Sequence, residues 1–132
     1  MNFLVVFVVV AISVACVNCE DLYTSKFDNI DIDAIMKNDR LLQNHFACII
    51  DGKGCTAEAD ELRKHIPEIM ETCCSKCTDK QKEGAKKMTT YLIENKPDIV
   101  KKLVDKFDPD RKYIEKCKEQ LKSGGVDTSK LQ

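Results

Sequence analysis

The cysteines are the residues of this sequence whose type and spacing most clearly suggest a chemical role. Six cysteines follow the first twenty residues, and two of these, Cys74 and Cys77, have the C-x-x-C spacing found in redox-active and zinc-binding motifs. An even number in a short exported chain predicts disulfide bonds, whereas a reducing compartment would favour zinc. The complete set is Cys48, Cys55, Cys73, Cys74, Cys77 and Cys117.

The N-terminal segment indicates whether the cysteines form disulfide bonds or bind zinc. Residues 1–19 read as a signal peptide, because the apolar run from Phe3 to Ala15 is too short to span a bilayer and polar sequence follows it. No Lys or Arg precedes the run, which is unusual for a signal peptide. Cleavage after Ala15 or Cys19 fits, and we favour Cys19. We therefore predict a secreted, disulfide-bonded chain with no stable membrane insertion; a membrane anchor is the alternative.

Catalysis and metal binding find little support in the remaining residues. Only two histidines, His45 and His65, and scattered acids are present, and they form no nucleophile–base pair. The C-x-x-C motif lacks the βαβ context of thioredoxin-like enzymes. A formal net charge of −1 argues against a nucleic-acid partner. We predict no enzyme activity, no catalytic residue, no metal site and no cofactor.

The sequence pattern predicts that all the elements that position these residues are helices. The predicted class is all-α, six short helices whose apolar stripes must pack on one another, since none is stable alone. Pro67 lies inside the third and should bend it or split it near Ile66. Gly124-Gly125 ends the sixth, giving one domain over 20–122 and a flexible tail over 123–132. The predicted starts are Asn29 or Asp31, then Asn38, Thr56, Thr78, Pro97 and Asp108-Pro109.

Four of the cysteines form a recognisable pattern, C-x6-C-x18-C-x2-C, at Cys48, Cys55, Cys74 and Cys77. With its flanking segments, the pattern closely resembles the insect chemosensory proteins over about 20–117. Those segments are YTSKFDNID from Tyr23, DRLL from Asp39, CTDKQKEGAKK from Cys77, YLIENKP from Tyr91 and FDP from Phe107.

The resemblance implies a six-helix fold stapled by two local disulfides, Cys48–Cys55 and Cys74–Cys77. It also implies an apolar channel between the helices that takes fatty acids, long-chain alcohols, esters and similar semiochemicals. The expected protein is a monomeric carrier in extracellular fluid such as sensillum lymph or haemolymph, with a receptor at the sensory membrane as a further candidate partner. The alternative is a developmental or interaction factor with the same fold.

Two positions depart from the family pattern. Family members more often have a small or polar residue at Cys73 and commonly a tyrosine at Cys117. Two additional cysteines in a secreted chain suggest a third disulfide between them. The alternatives are two buried free thiols, an intermolecular bridge, or reshuffling in which Cys73 instead of Cys74 pairs with Cys77.

The channel lining is predicted from the apolar stripes and from family positions. The family often has tryptophan at Val100, so valine should widen the channel there. It often has an aromatic residue at His45, where histidine can meet a ligand head group or trigger release below about pH 6; a surface or hydrogen-bonded histidine is the favoured alternative. The predicted lining is Leu42, His45, Phe46, Ile49, Leu62, Ile66, Ile69, Met88, Leu92, Val100, Val104 and Tyr113.

Overall fold

The computed structural model describes Tyr23, Asp28 and residues 30–132. The predicted signal peptide, 1–19, lies outside these residues. All regular structure in the described ranges is helical, which confirms the all-α prediction. The helices are α1 (Ile32–Lys37), α2 (Asp39–Asp51), α3 (Ala57–Thr72), α4 (Asp79–Asn95), α5 (Pro97–Phe107), α6 (Lys112–Lys116) and α7 (Lys118–Ser123), followed by a 3-10 turn over Thr128–Leu131.

Side-chain caps fix where the first four helices begin. At the start of α4, Thr78 Oγ1 accepts from Gln81 N and Gln81 Oε1 accepts from Thr78 N, so the predicted capping box is confirmed. Asp28 joins this cap by accepting from Thr78 Oγ1 at 3.0 Å and Gln81 Nε2 at 2.9 Å. In α1, α2 and α3 the caps Asp31, Asn38 and Thr56 accept from the backbone N–H groups of Ala34, Leu41 and Ala59.

Pro67 does not split the third helix. Helix α3 runs unbroken from Ala57 to Thr72 with Pro67 inside it, so of the two predicted effects, a bend or a split near Ile66, the split does not occur. A proline removes one backbone hydrogen bond, and packing of α3 along α2 offsets that loss.

The last predicted helix begins later than its sequence signal. Pro109 and Asp110 form a turn, Arg111 has φ +59°, and α6 starts only at Lys112. Asp108, 2% exposed, accepts from Tyr113 N at 3.1 Å and Ile114 N at 3.0 Å. The buried carboxylate therefore satisfies two N–H groups of the first turn from a position outside the helix.

Replacing Asp108 with asparagine should lower the free energy of unfolding by about 2 kcal/mol. An asparagine keeps one acceptor oxygen but turns an NH₂ donor toward the second N–H group, which leaves a buried donor unpaired. Urea unfolding followed by far-UV circular dichroism measures the change. Asp110→Asn, on an exposed neighbour, is the matched control and should change stability by less than about 0.5 kcal/mol. Equal stabilities of the two variants would contradict the capping role.

The C-terminal segment differs from the flexible tail that the sequence predicted. After the turn at Gly124-Gly125, Val126 is 7% exposed and Leu131 is 9% exposed, and both belong to the hydrophobic core. Asp127 caps the 3-10 turn by accepting from Ser129 N at 3.1 Å. Two apolar side chains and one cap are enough to hold this segment against α5 and α7.

The core is one cluster shared by α1, α2, α4, α5, α6 and the C-terminal segment. Its centre is Leu42 of α2, with a fully buried side chain. Every described helix is too short or too polar to serve as a transmembrane span. The buried members of the cluster are Ile35, Leu42, Phe46, Ile49, Leu92, Ile99, Val100, Ile114, Val126 and Leu131.

Candidate functional site

An apolar cleft of about 760 Å³ lies beside this core. One wall is helix α4, and the other is formed by the end of α3, helices α6 and α7 and the C-terminal segment. The exposed side chains Lys82, Glu83 and Lys86 stand at its rim, so the cleft opens to solvent. Its apolar lining consists of Ile69, Met70, Ala85, Tyr113, Ile114, Leu121, Val126 and Leu131, together with Cys73, Cys74 and Cys117.

The floor of the cleft is part of the hydrophobic core. Ile114, Val126 and Leu131 line the cleft and also belong to the buried core cluster. A guest in the cleft therefore contacts the core directly and needs no separate channel to reach apolar surface. Pockets of about 300 to 1,000 Å³ with mostly apolar walls are typical of small-molecule sites.

All six cysteines of the described chain are paired. The structure has the two local bridges Cys48–Cys55 and Cys74–Cys77. It also has the third bridge, between Cys73 and Cys117, with Cα atoms 5.4 Å apart and a sequence separation of 44. This bridge ties the end of α3 to the junction of α6 and α7, at one side of the cleft.

Cys73 and Cys74 are adjacent in sequence, and their backbone conformations let two different disulfides leave the same turn. Cys73 ends α3 with φ +53° and Cys74 follows with φ +65°, both left-handed conformations that non-glycine residues seldom adopt. Cys117 interrupts the last predicted helix, separating α6 from α7, although its N–H still bonds to Tyr113 O at 2.8 Å. Leu121 N–H bonds in turn to Cys117 O at 3.0 Å, so the interruption is a single residue.

The turn enclosed by Cys74 and Cys77 is held against α3 by an ion pair. Lys76 Nζ donates to Glu68 Oε1, and this hydrogen bond holds the pKa of the Glu68 carboxyl below its ordinary value. Tyr23 N donates to Lys76 O at 2.8 Å, which fastens the upstream segment to the same turn. The end of α3 that borders the cleft is therefore fixed from two sides.

The predicted lining residues separate into a packed group and a smaller cleft group. Only Ile69 and Tyr113 line the cleft. Ile66, Met88 and Val104 are half-buried and pack against the core. Five further predicted lining residues are buried members of the core cluster, namely Leu42, Phe46, Ile49, Leu92 and Val100.

Two predicted lining residues lie apart from both groups. Leu62 is on the apolar stripe of α3 but is 45% exposed, so it lines no enclosed channel. Helical spacing fixes the direction of a side chain, but not how far the neighbouring helices extend along that face. His45 is half-buried and does not line the cleft. His65 is half-buried, bonds to Glu61 at 2.9 Å and has its ring centroid 4.7 Å from that of Tyr23.

Several cleft residues were missed by sequence reasoning. Ile114, Cys117 and Leu121 recur at i, i+3 and i+7 in the last predicted helix, and this apolar spacing is the signal that could have identified Ile114 and Leu121. Val126 and Leu131 were missed because Gly124-Gly125 was interpreted as the end of the ordered structure. The cap at Asp127 between two apolar residues is the signal that could have identified them.

Comparisons with known proteins agree with these features. The family model described as insect pheromone-binding family, A10/OS-D, matches residues 23–115. Ejaculatory bulb-specific protein 3 of Drosophila melanogaster is 44% identical over 117 residues, which covers 89% of this chain and 93% of that protein. Allergen Tha p 1 of Thaumetopoea pityocampa is 37% identical over 103 residues, with coverages of 78% and 82%.

Solved structures give the same result for the fold. A chemosensory protein in complex with bromo-dodecanol superposes with a TM-score of 0.68 at 36% identity, covering 74% of this chain and 98% of that one. Antennal chemosensory protein A6 from the moth Mamestra brassicae superposes with a TM-score of 0.61 at 35% identity, with coverages of 80% and 97%.

Proposed function

Because the chain belongs to the insect pheromone-binding family A10/OS-D, the insect chemosensory proteins, we propose that it is a secreted carrier of small hydrophobic ligands. The ligand classes are fatty acids, long-chain alcohols and esters, and related semiochemicals. The observation that carries the proposal is the cleft of about 760 Å³ whose floor belongs to the hydrophobic core. The bromo-dodecanol complex of a similar protein supports an apolar chain with a single polar end.

The expected affinity follows from the apolar surface that a guest buries. A methylene group gains roughly 0.8 kcal/mol on burial, so a chain of about 14 carbons gains some 10 kcal/mol before costs. Loss of translational and conformational freedom offsets several kcal/mol of this gain. A net of about 8 kcal/mol corresponds to a dissociation constant near 1 μM, suitable for a carrier that must also release.

The site is proposed to be the cleft, extended by the core residues behind it. Ile69 and Tyr113, at the wall, contact the guest first. The eight predicted residues that pack in or against the core contact a longer guest only when the helices separate. The two local disulfides hold short turns at the two ends of α3, and the third joins α3 to the junction of α6 and α7 within the same wall. None of the three disulfides links a residue of α4 to the opposite wall.

Secretion is part of the same proposal. Three disulfides require an oxidising compartment, and residues 1–19 have the composition of a signal peptide. The proposed location is an extracellular fluid such as sensillum lymph or haemolymph, with a membrane receptor as a further partner. The proposed role is non-catalytic, and an insulin-reduction assay of the purified protein checks the C-x-x-C motif for redox activity.

Displacement of a fluorescent probe tests the carrier function. The chain contains no tryptophan, so intrinsic quenching gives no signal and an extrinsic probe is needed. Long-chain alcohols and acids should displace the probe with dissociation constants of about 1 μM. Native mass spectrometry of protein purified from its source should show a co-purified lipid. Absence of both signals at high micromolar protein would contradict the carrier function and favour the developmental or interaction role.

A further inference from the structure

One lysine side chain reaches across the mouth of the cleft. Lys86 belongs to α4, and Gly125 lies on the opposite wall after α7. A Cβ built on Gly125 would lie 3.5 Å from Lys86 Cε and 3.6 Å from Lys86 Nζ. The end of the Lys86 side chain, Cε and Nζ, therefore lies beside the backbone of Gly125, which is flanked by the lining residues Gly124 and Val126.

The charge of this lysine is uncompensated within the described residues. Neither Lys86 nor Lys82, one turn earlier on the same face, has an acidic partner within ion-pair distance in that part of the chain. The adjacent Lys87, by contrast, pairs with Asp33 at 2.9 Å. Glu83 is the one acid of the cleft lining, so two cations and one anion surround the opening.

The arrangement is that of a site for an amphiphile with an anionic end. Apolar walls accept a hydrocarbon chain, while the cationic groups stand where the chain would leave the cleft. A neutral alcohol end group gains only a hydrogen bond at that position, whereas a carboxylate gains a charge-assisted one.

We propose that Lys86, assisted by Lys82, binds the head group of long-chain carboxylates at the cleft mouth and makes the protein prefer acids over alcohols of equal length. The inference rests on the proposed carrier function and names the residues that determine specificity within it. Lys86 is placed for this contact because the end of its side chain lies beside Gly125, across from α4.

The test compares two ligands of equal chain length, hexadecanoate and hexadecanol, by displacement of a neutral naphthylamine probe. In Lys82→Gln/Lys86→Gln, the affinity for hexadecanoate should fall about fivefold and that for hexadecanol less than twofold. Lys87→Gln on the same helix, outside the cleft lining, is the control and should leave both affinities unchanged. Circular dichroism of each variant checks that the fold is retained, as expected for exposed side chains.

Ionic strength supplies a second readout that a change of shape would not reproduce. The advantage of the acid over the alcohol should shrink between about 0.01 M and 0.15 M salt, where the Debye length shortens from about 30 to 8 Å. Equal losses for acid and alcohol, or no loss for the acid, would overturn the head-group site while leaving the carrier function intact. Failure of the unmodified protein to bind either ligand would overturn both.

Discussion

Replacing Cys73 and Cys117 together with serine should lower the free energy of unfolding by about 4 kcal/mol. The bridge closes a loop of 44 residues in sequence separation, and the chain-entropy estimate for the unfolded state grows with the logarithm of loop length. The expected change is large because total stabilities of small domains are only about 5 to 15 kcal/mol. Urea unfolding monitored by far-UV circular dichroism, with both proteins kept oxidised, measures it.

The matched control removes a short-range bridge instead. Cys48→Ser/Cys55→Ser opens a loop with a sequence separation of 7, for which the same estimate gives about 2.5 kcal/mol. The long-range variant should therefore be less stable than the short-range variant by about 1.5 kcal/mol. Unchanged stability of the Cys73/Cys117 variant would show that these two cysteines do not bridge in the native protein.

The pairing itself needs a separate experiment because Cys73 and Cys74 are adjacent. Trypsin cannot cleave between them, so the peptide 65–76 carries both cysteines and its linked mass does not say which one bonds to Cys117. In Cys74→Ser, the structure leaves Cys77 as the free thiol. Rapid alkylation of the folded, oxidised variant with excess maleimide should therefore label Cys77, and labelling of Cys117 instead would support the reshuffled pairing.

Leu42→Ala should lower the free energy of unfolding by about 3 kcal/mol. The Leu42 side chain is fully buried at the centre of the core, so alanine leaves a cavity that the surrounding helices only partly fill. A side chain on the wall of an open channel would cost less, because no close-packed contacts would be lost. Equilibrium urea unfolding of the purified variant gives the value.

Leu41 is the matched control, since it precedes Leu42 on the same helix and is 36% exposed. Leu41→Ala should cost less than about 1 kcal/mol. The pair also tests the site, because Leu42→Ala should leave the affinity for short ligands within about twofold if they occupy the cleft. Nearly equal stabilities of the two variants would place Leu42 on a channel wall, as the sequence interpretation expected.

Helix starts were predictable because their causes are local. A cap side chain and the N–H group it binds are three residues apart, so Asn38, Thr56 and Thr78 identify the starts of α2, α3 and α4 without tertiary information. The start of α6 was predicted at the wrong residue because its cap is not local. Asp108 binds N–H groups five and six residues away, across a turn whose left-handed residue, Arg111, is not a glycine.

The four-cysteine pattern indicated the family, and the two additional cysteines suggested the third bridge without excluding the other pairings. Spacing within a few residues restricts a short loop, whereas Cys73 and Cys117 meet only because α3 and α6 pack together. The cleft likewise exists only because separate segments of the chain pack together. Its walls come from three separate segments, 69–74, 82–89 and 113–131, and the apolar stripes do not show which of their faces remain unpacked.

The sequence by itself determined that the chain is helical, where most helices begin, which family it belongs to and that oxidised cysteines were to be expected. Only the tertiary structure decided that Leu42 and Phe46 are packed core, that Val126 and Leu131 complete that core, and that Lys86 of α4 lies beside Gly125. The physical reason is the range of the interactions. Capping and periodicity act within one or two turns of a chain, whereas burial depends on which surfaces of distant segments meet.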